Sequence, residues 1–411
     1  MKSILLGAIA FLFVATSLAA QGIPLDTRPA RQGARKGVDA GDYLYISGQG
    51  PQRSDGTTPD GFADQTRECL ENIRKVVESA GLSMDHVVYV QVYLEDIRRF
   101  AELNEAFAKY FPHDPPARAV LGVAHVPEPP LEITAVAVRD LRDKRPVSLP
   151  NAPPSKAFSA AMLTHDRLFV STMPGSDAAN GSVPQDPAAQ VTMALDRLDA
   201  VVQAAGLTLA NMVFINPYLT SALPTRVMNQ LYARRFEFGN TPARATIEVS
   251  SLPEGARVAF TGVAVRDLNQ RHSIRPKNMA PSPTASPCVF AGDTLYCSAK
   301  SGFIPGLNGG VYTASVTDQT RQTMRNLLDN LEEAGMTFDQ VASTTIYLDD
   351  LKDTMLFTKV YERYFKTALP SETTLQQVPS VERKPNEDGH YPDLEQVSLI
   401  AVRNSAIRPL P

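Results

Sequence analysis

The amino-acid sequence predicts an α+β fold of three β-β-α-β-α-β-β modules in a pseudo-threefold arrangement, with sheets inside and helices outside. One pattern of strands and helices recurs three times, with a period of about 125 to 129 residues. Because that period is far longer than a solenoid repeat, each copy is predicted to be a domain. Two helices per copy can cover only one face of its sheet, so the other faces are expected to pack against each other.

Each copy begins with a strand and an amphipathic helix. In the first helical segment the apolar residues follow helical spacing, as Cys69, Ile73 and Val76 illustrate. Every copy of this helix ends in Ala-Gly, where a left-handed C-cap belongs. The predicted strands are 43–49, 167–173 and 294–300, and the predicted helices are 65–82, 190–207 and 319–336.

The second half of each copy adds a strand, a short helix and two further strands. The short helix closes on Lys-Tyr-Phe, Arg-Arg-Phe or Arg-Tyr-Phe, and the next strand carries a Pro-Ala-Arg-Ala core in the first two copies. The strands before the short helix are predicted at 87–97, 212–222 and 341–351, and the last strands at 133–140, 260–267 and 398–404.

The domain organisation follows from this repeat. We predict module 1 at 21–145, module 2 at 146–272 and module 3 at 273–411. The proline-rich stretches 145–154 and 275–287 are predicted to be extended linkers. Because the three units already satisfy one another, we expect a monomer that acts as a pseudo-trimer.

The N-terminal segment 1–20 has a lysine, an apolar run and small residues, which is typical of a cleavable signal peptide. An uncleaved membrane anchor is the alternative, but the apolar run is short for a membrane span. We therefore predict an exported protein, periplasmic or secreted, with no membrane contact after cleavage. The net charge of −4, without a basic block, argues against a nucleic-acid partner.

Export makes the cysteines informative. If Gly292 and Asp293 form a two-residue hairpin loop, Cys288 and Cys297 are directly opposed and close enough to bridge. We predict this disulfide, while two small apolar core residues remain the alternative. Cys69 is expected to pack in the core as part of a helix.

The ordered set of motifs resembles the Rid family of reactive-intermediate deaminases, which are also described as L-PSP endoribonuclease-like. The set comprises the Gly-Asp turn, Leu-Tyr-x-Ser, the helix ending in Ala-Gly-Leu, Val-Tyr-Leu-x-Asp, Pro-Ala-Arg-Ala and Ala-Val-Ala-Val-Arg. The resemblance covers nearly all of the chain after the signal segment, three times over. It implies a chorismate-mutase-like fold and small-molecule sites at the contact surfaces, or seams, between modules.

The resemblance also implies a role for two arginines. In the family the arginine of the Pro-Ala-Arg motif holds the carboxylate of a substrate imine or enamine, and it matches Arg118 and Arg244 here. A guanidinium offers a planar fork that suits a carboxylate. The alternative is that both arginines pair with protein carboxylates or reach to water. Glu372 occupies the arginine position in module 3, where it would repel a carboxylate, so that seam is expected to be inactive or altered.

Other family residues are missing. The family tyrosine matches Ala34, Phe158 and Ala285, none of which has a hydroxyl. At the place of the water-positioning glutamate we find Thr134, Thr261 and Ser398, and we predict that Thr134 and Thr261 hold water. Glu132, two residues before Thr134, could substitute, although a surface or barrel-lining charge is the expectation. The extra residues 382–391 of module 3 are expected to be a solvated insertion.

These observations leave open whether the chain is an enzyme. The first hypothesis is a hydrolytic deaminase of small carboxylate-bearing imines or enamines, and the second is a non-catalytic binder of small carboxylate metabolites. RNA cleavage is the weakest alternative, because the chain is acidic and has few stacking aromatic residues. The scattered histidines show no metal-ligand spacing, and no nucleotide-binding motif is present, so we predict no metal and no cofactor.

Overall fold

A computed structural model describes residues 35–150, 152–277, 279–306, 310–403 and 407–410. All of these residues belong to the unit Gln32–Pro411. The predicted signal segment 1–20 lies outside the described residues. Within the described ranges, no helix is both long enough and apolar enough to cross a bilayer.

Three sheets, each with one long and one shorter α-helix, confirm the predicted three-module α+β fold. Module 1 comprises β1 (Gly37–Asp39), β2 (Tyr43–Gln49), α1 (Phe62–Ser79), β3 (Val87–Leu94), α2 (Phe100–Tyr110), β4 (Ala117–Gly122) and β5 (Leu131–Val138). Module 2 comprises β6 (Arg145–Val147), β7 (Ala161–Leu163), β8 (Arg167–Pro174), α3 (Pro187–Ala204), β9 (Met212–Leu219), α4 (Thr225–Ala233), β10 (Ala243–Arg244), β11 (Ile247–Glu248) and β12 (Val258–Val265). Module 3 comprises β13 (Arg271–Ile274), β14 (Cys288–Ala291), β15 (Thr294–Ser301), α5 (Val316–Glu333), β16 (Val341–Leu348), α6 (Thr354–Tyr361), β17 (Ser371–Gln376) and β18 (Glu395–Val402), and β19 (Arg408–Leu410) ends the chain.

The first helix of each module ends at the predicted glycine. Gly81, Gly206 and Gly335 have φ values of 75°, 80° and 69°. A residue with a side chain is strained in this left-handed region, so glycine ends the helix at low cost. The helices begin and end about three residues earlier than the periodicity alone predicts. They end earlier because the glycine lies beyond the last helical residue.

Each sheet buries its two faces differently. One face packs against the two helices of its own module and forms one apolar core per module. The other face meets the other sheets. There, Tyr93, Tyr218 and Tyr347 of the three modules belong to a single buried cluster that contains no helix residue. The sheets are therefore inside and the helices outside, as predicted.

The seams repeat in a cycle. The strand that carries the arginine position forms a parallel bridge to the next module: Ala117 to Ser159, Ala243 to Ser286, and Ser371 to Arg35. We name the seams 1/2, 2/3 and 3/1 after the modules that they join. Because the third bridge returns to module 1, the arrangement is a closed pseudo-threefold ring.

The connecting segments add strands across the module boundaries. Strand β6 pairs with β7 at the edge of the second sheet, and β13 pairs with β14 at the edge of the third. The C-terminal strand β19 pairs with β1 of module 1, which closes the ring. The stretch 145–154, predicted to be only an extended linker, therefore begins as a sheet strand.

The cysteines behave as predicted. Strands β14 and β15 place Cys288 opposite Cys297, and the two form a disulfide. Cys69 is a buried free cysteine on α1.

Candidate functional site

Arg118 lies on strand β4, where module 1 meets module 2. Its backbone N–H donates a hydrogen bond of 2.7 Å to Ser171 Oγ on β8. Its Nη2 donates to Asn104 Oδ1 on α2. The residue is only 2% exposed. The Ser171 hydroxyl group of module 2 therefore holds the backbone of Arg118, and Asn104 of helix α2 holds its guanidinium.

The guanidinium of Arg118 lies among aromatic rings. Its Cζ is 4.6 Å from the centroid of the Phe107 ring and 4.9 Å from that of Phe158. At these distances the rings attract the cation through their negative faces. Phe158 stands at the position of the family tyrosine, so the ring is retained there without a hydroxyl group.

One terminal nitrogen of the Arg118 guanidinium has no partner. Its Nη1 is buried and has no hydrogen-bond partner among the described residues. Burial lowers the pKa of Arg118 to about 9, and no carboxylate contributes to that shift. The side chain therefore remains charged at neutral pH, and a buried cation without an anion is costly. This arrangement favours an anionic partner at Nη1.

A cavity of about 530 Å³ lies beside this arginine. We call it the Arg118 cavity. Module 1 contributes Arg118, Asn104 and Phe100 to its wall, the connecting segment contributes Val147 and Leu149, and module 2 contributes Phe158. The cavity is thus built from both sides of seam 1/2, and it has the volume of an ordinary small-molecule site.

A second polar group lines the same cavity. Glu254 accepts a hydrogen bond of 3.0 Å from Ser176 Oγ, and Arg197 Nη1 donates 2.9 Å to the Ser176 carbonyl oxygen. Glu254 has a φ of 61°, and Asp114, also on the cavity wall, has a φ of 41°. Non-glycine residues held in the left-handed region are strained and concentrate at functional sites.

Arg244, the predicted counterpart in module 2, has a hydrogen-bond partner at each of its two terminal nitrogens. Its Nη1 donates to Asn229 Oδ1 at 2.7 Å, and its Nη2 donates to Thr284 Oγ1 at 3.3 Å. Its Cζ lies 5.2 Å from the centroid of the Tyr232 ring. Burial lowers the pKa of Arg244. Seam 2/3 therefore repeats the arginine but satisfies it with neutral protein groups.

Glu372 takes the arginine position at seam 3/1. Its Oε1 is buried without a hydrogen-bond partner among the described residues, and burial raises its pKa to about 7. This seam therefore presents a carboxyl group where seams 1/2 and 2/3 present a guanidinium.

Glu132 corrects an expectation, because it is not a surface charge and does not line the cavity of about 110 Å³ that the three sheets enclose. It is 5% exposed, and burial raises its pKa to about 8. A Cβ atom at Gly48 would lie 2.4 Å from Glu132 Oε2, and the Gly48 N–H donates to Thr373 Oγ1 at 3.2 Å. Glu132 therefore lies at seam 3/1, beside the strand that carries Glu372.

The positions equivalent to Glu132 are not acidic. Glu132 lies opposite Tyr93 on the neighbouring strand. In modules 2 and 3 the residues opposite the equivalent tyrosines, Tyr218 and Tyr347, are Ala259 and Gln396. The seams that retain an arginine thus lack the buried glutamate, and the seam that retains the glutamate lacks the arginine.

Thr134 and Thr261 lie together, but away from Arg118. With Ser398 they line a central cavity of about 110 Å³. None of the residues lining this cavity lines the Arg118 cavity. Thr261 Oγ1 donates to the Val170 carbonyl oxygen. The role predicted for both threonines, holding water at the arginines, stays a prediction and gains no support from this placement.

Sequence reasoning missed three residues around the arginines: Asn104, Asn229 and Glu254. The two asparagines do carry a signal, because they precede the phenylalanine after the second helix by the same number of residues, and Thr358 replaces them in module 3. Glu254 follows a proline in the turn before the last strand, and a turn glutamate is normally read as a solvated charge.

Comparison with known proteins places the chain in a family. The family model described as "Endoribonuclease L-PSP" matches residues 27–139, 149–266 and 277–385. A "RutC family protein" of Pyrococcus horikoshii is 40% identical over 106 residues, which cover 25% of this chain and 84% of that protein. The "Putative reactive intermediate deaminase TdcF" of Escherichia coli is 37% identical over 109 residues, with 25% and 84% coverage.

A solved structure resembles most of the chain. The crystal structure of a chorismatase matches with a TM-score of 0.53 at 14% identity, and the match covers 77% of this chain and 93% of that one. This likeness concerns the fold alone. The three tandem matches to one family model decide the assignment, and the chain belongs to the Endoribonuclease L-PSP family, also known as the Rid or RutC family.

Proposed function

We propose that the chain is a hydrolytic deaminase of carboxylate-bearing imines or enamines and that it acts in the Arg118 cavity at seam 1/2. The observation that carries the proposal is Arg118, which lines the cavity and whose buried Nη1 has no partner among the described residues. A relative described as a "Putative reactive intermediate deaminase" supports the reaction class.

Arg118 binds the substrate carboxylate. A carboxylate oxygen at Nη1 supplies the missing anion, and a charge-assisted hydrogen bond contributes about 1.5–3 kcal/mol. Asn104 holds the other end of the guanidinium, and the Phe107 and Phe158 rings limit its movement. The carboxylate is therefore bound by a donor whose direction is set in advance, which reduces the entropy lost on binding.

Glu254 is the acid–base group in this cavity. Its carboxylate takes a proton from water while the water oxygen bonds to the imine carbon, and it returns that proton to the nitrogen. This addition gives a carbinolamine. Glu254 then takes the proton of the new hydroxyl group and passes it to the amine nitrogen as the C–N bond breaks, so that a keto acid and ammonia are released. Imines are labile to water, so positioning by Arg118 and one general base suffices.

A non-catalytic binder of small carboxylates is the second candidate. The division of arginine and buried glutamate between different seams favours it, because Arg118 at seam 1/2 faces module 2, where Ala259 stands at the Glu132 position. Under this hypothesis the Arg118 cavity binds its ligand and releases it unchanged.

An assay with an imine generated in place separates the two candidates. An amino-acid oxidase produces the 2-imino acid, semicarbazide traps it, and the protein is added at increasing concentration. We expect the protein to reduce trapping, R118M to abolish the effect, and E254Q to lower the rate at least tenfold. The control is R142M, because Arg142 is an exposed arginine.

The outcomes are distinct. No acceleration by the wild-type protein, together with calorimetric binding of a 2-keto acid that R118M abolishes, identifies a binder. Acceleration that persists in R118M removes the Arg118 cavity from the mechanism.

A further inference from the structure

We propose that the Arg118 cavity selects carboxylates that carry a large apolar body, of the size of an aromatic side chain, and that the segment connecting modules 1 and 2 sets this preference. The inference rests on the proposed function, because it names the substrate class for the same site.

The volume of the cavity is the first argument. A volume of about 530 Å³ falls in the range of sites for drug-sized ligands, about 300–1,000 Å³. A carboxylate with a two- or three-carbon body leaves most of that volume to water. A ring-bearing body displaces this water, and affinity increases with the apolar area that is buried.

The chemistry of the wall is the second argument. Apolar side chains form part of the wall, among them Val147, Leu149 and Met173, and Ser148, Ser155 and Thr172 also line it. The apolar side chains offer no hydrogen bond, so a polar substituent placed against them would lose its water without compensation. An apolar body instead gains contact with the Phe100 and Phe158 rings, which also lie near the arginine.

The connecting segment forms one side of this wall. Val147 and Leu149 line the cavity and are also 4% and 8% exposed members of the module 2 core. Pro153 and Pro154 follow on the same wall, and their fixed φ angles restrict the backbone. A wall that is anchored in a core and stiffened by prolines keeps its shape when no ligand is bound.

The equivalent segment at seam 2/3 provides a hydrogen-bond partner for its arginine. There the stretch between β13 and β14 supplies Thr284, whose Oγ1 accepts a hydrogen bond from Arg244 Nη2 at 3.3 Å. At seam 1/2 the connecting segment provides an apolar wall, and Arg118 Nη1 stays unpaired. The two connecting segments therefore differ in role. The segment at seam 2/3 hydrogen-bonds to Arg244, and the segment at seam 1/2 lines the Arg118 cavity.

Calorimetric titration with two keto acids tests the inference. Pyruvate and phenylpyruvate carry the same carboxylate and differ in the size of the apolar body. We expect phenylpyruvate to bind the wild-type protein at least tenfold more tightly than pyruvate. Ala152→Trp places an indole on the connecting-segment wall, and we expect it to lower the ratio of phenylpyruvate to pyruvate affinity at least tenfold. Ala101→Trp, on the exposed side of α2, is the matched control and should keep the wild-type ratio.

Equal affinity for the two acids in the wild-type protein overturns the inference, and so does an unchanged ratio in A152W. If A152W does not fold, a wild-type series of 2-keto acids with increasing side-chain size gives the same decision, because affinity must increase with apolar area. Size-dependent binding without imine hydrolysis would contradict the proposed catalysis and leave the selectivity standing. Hydrolysis of imines at one rate for all side chains would instead contradict the selectivity and leave the proposed catalysis standing.

Discussion

The Arg118 N–H donates a 2.7 Å hydrogen bond to Ser171 Oγ across a module boundary, and this contact fixes the arginine strand to the next module. Ser171 Oγ in turn donates to the Ser159 carbonyl oxygen at 2.6 Å. Arg244 and Ser298 repeat the contact at 2.7 Å in seam 2/3. The serine that follows the hairpin thus sets the position of the arginine that the neighbouring module contributes.

Removing this hydroxyl should loosen seam 1/2. In S171A the Arg118 N–H and the Ser159 carbonyl both lose a buried partner, which costs about 1–3 kcal/mol. We expect the midpoint of urea unfolding to fall and the affinity for phenylpyruvate to fall with it. Ser54→Ala, at an exposed serine, is the control. An S171A protein with wild-type stability and affinity would show that the hydroxyl does not position the arginine.

Two buried carboxyl groups should make stability depend on pH. Burial raises the pKa of Glu132 and of Glu395 to about 8 each, above the usual value of 4.5. Protonation therefore favours the folded state: the stabilisation is complete below the unfolded pKa and is lost as the pH rises toward 8. The change amounts to roughly 1.4 kcal/mol per pH unit for each such group.

Thermal unfolding between pH 5 and pH 9 measures this effect. The melting temperature of the wild-type protein should fall as the pH rises from about 5 to about 8, and the decline should be shallower in E132Q/E395Q. Glu105→Gln, at an exposed glutamate, should keep the wild-type profile. Parallel profiles for the double variant and the wild type would mean that neither carboxyl group changes its pKa on folding.

The C-terminal strand should contribute to stability out of proportion to its length. Leu410 on β19 is 8% exposed and belongs to the core of module 1, at the opposite end of the chain. Leu410→Ala leaves a cavity and removes apolar burial, at a typical cost of 2–5 kcal/mol. Val381→Ala, at an exposed valine, is the control. If the two variants unfold at the same urea concentration, β19 does not close the ring in solution.

Titration of free thiols tests the Cys288–Cys297 disulfide. In denaturant without reductant, only Cys69 should react with a thiol reagent, and all three cysteines should react after reduction. Three reactive thiols in denaturant before reduction would contradict the Cys288–Cys297 bond.

The features that depend on local sequence were predictable. The glycines at the helix ends and the register of the Cys288–Cys297 hairpin follow from backbone preferences within a few residues. The cyclic packing followed from the number of helices per sheet, because each sheet had one uncovered face.

The individual side-chain and strand contacts between elements distant in sequence were not predictable. Asn104 reads as an ordinary helix-surface residue until α2 is placed beside β4, and β19 has no local signal for a partner strand near residue 38. Strand alternation describes the face on which Thr134 lies, but not that this face borders the central cavity. Glu132 likewise has no local signal for its place beside Gly48, which meets Thr373 of module 3.

A crystal structure of the protein with phenylpyruvate tests the central claim most directly. The account predicts a carboxylate oxygen at about 3 Å from Arg118 Nη1, with the ring against the connecting segment that contains Val147 and Leu149. A ligand bound at another seam, or in the Arg118 cavity with its carboxylate directed away from Nη1, would contradict it.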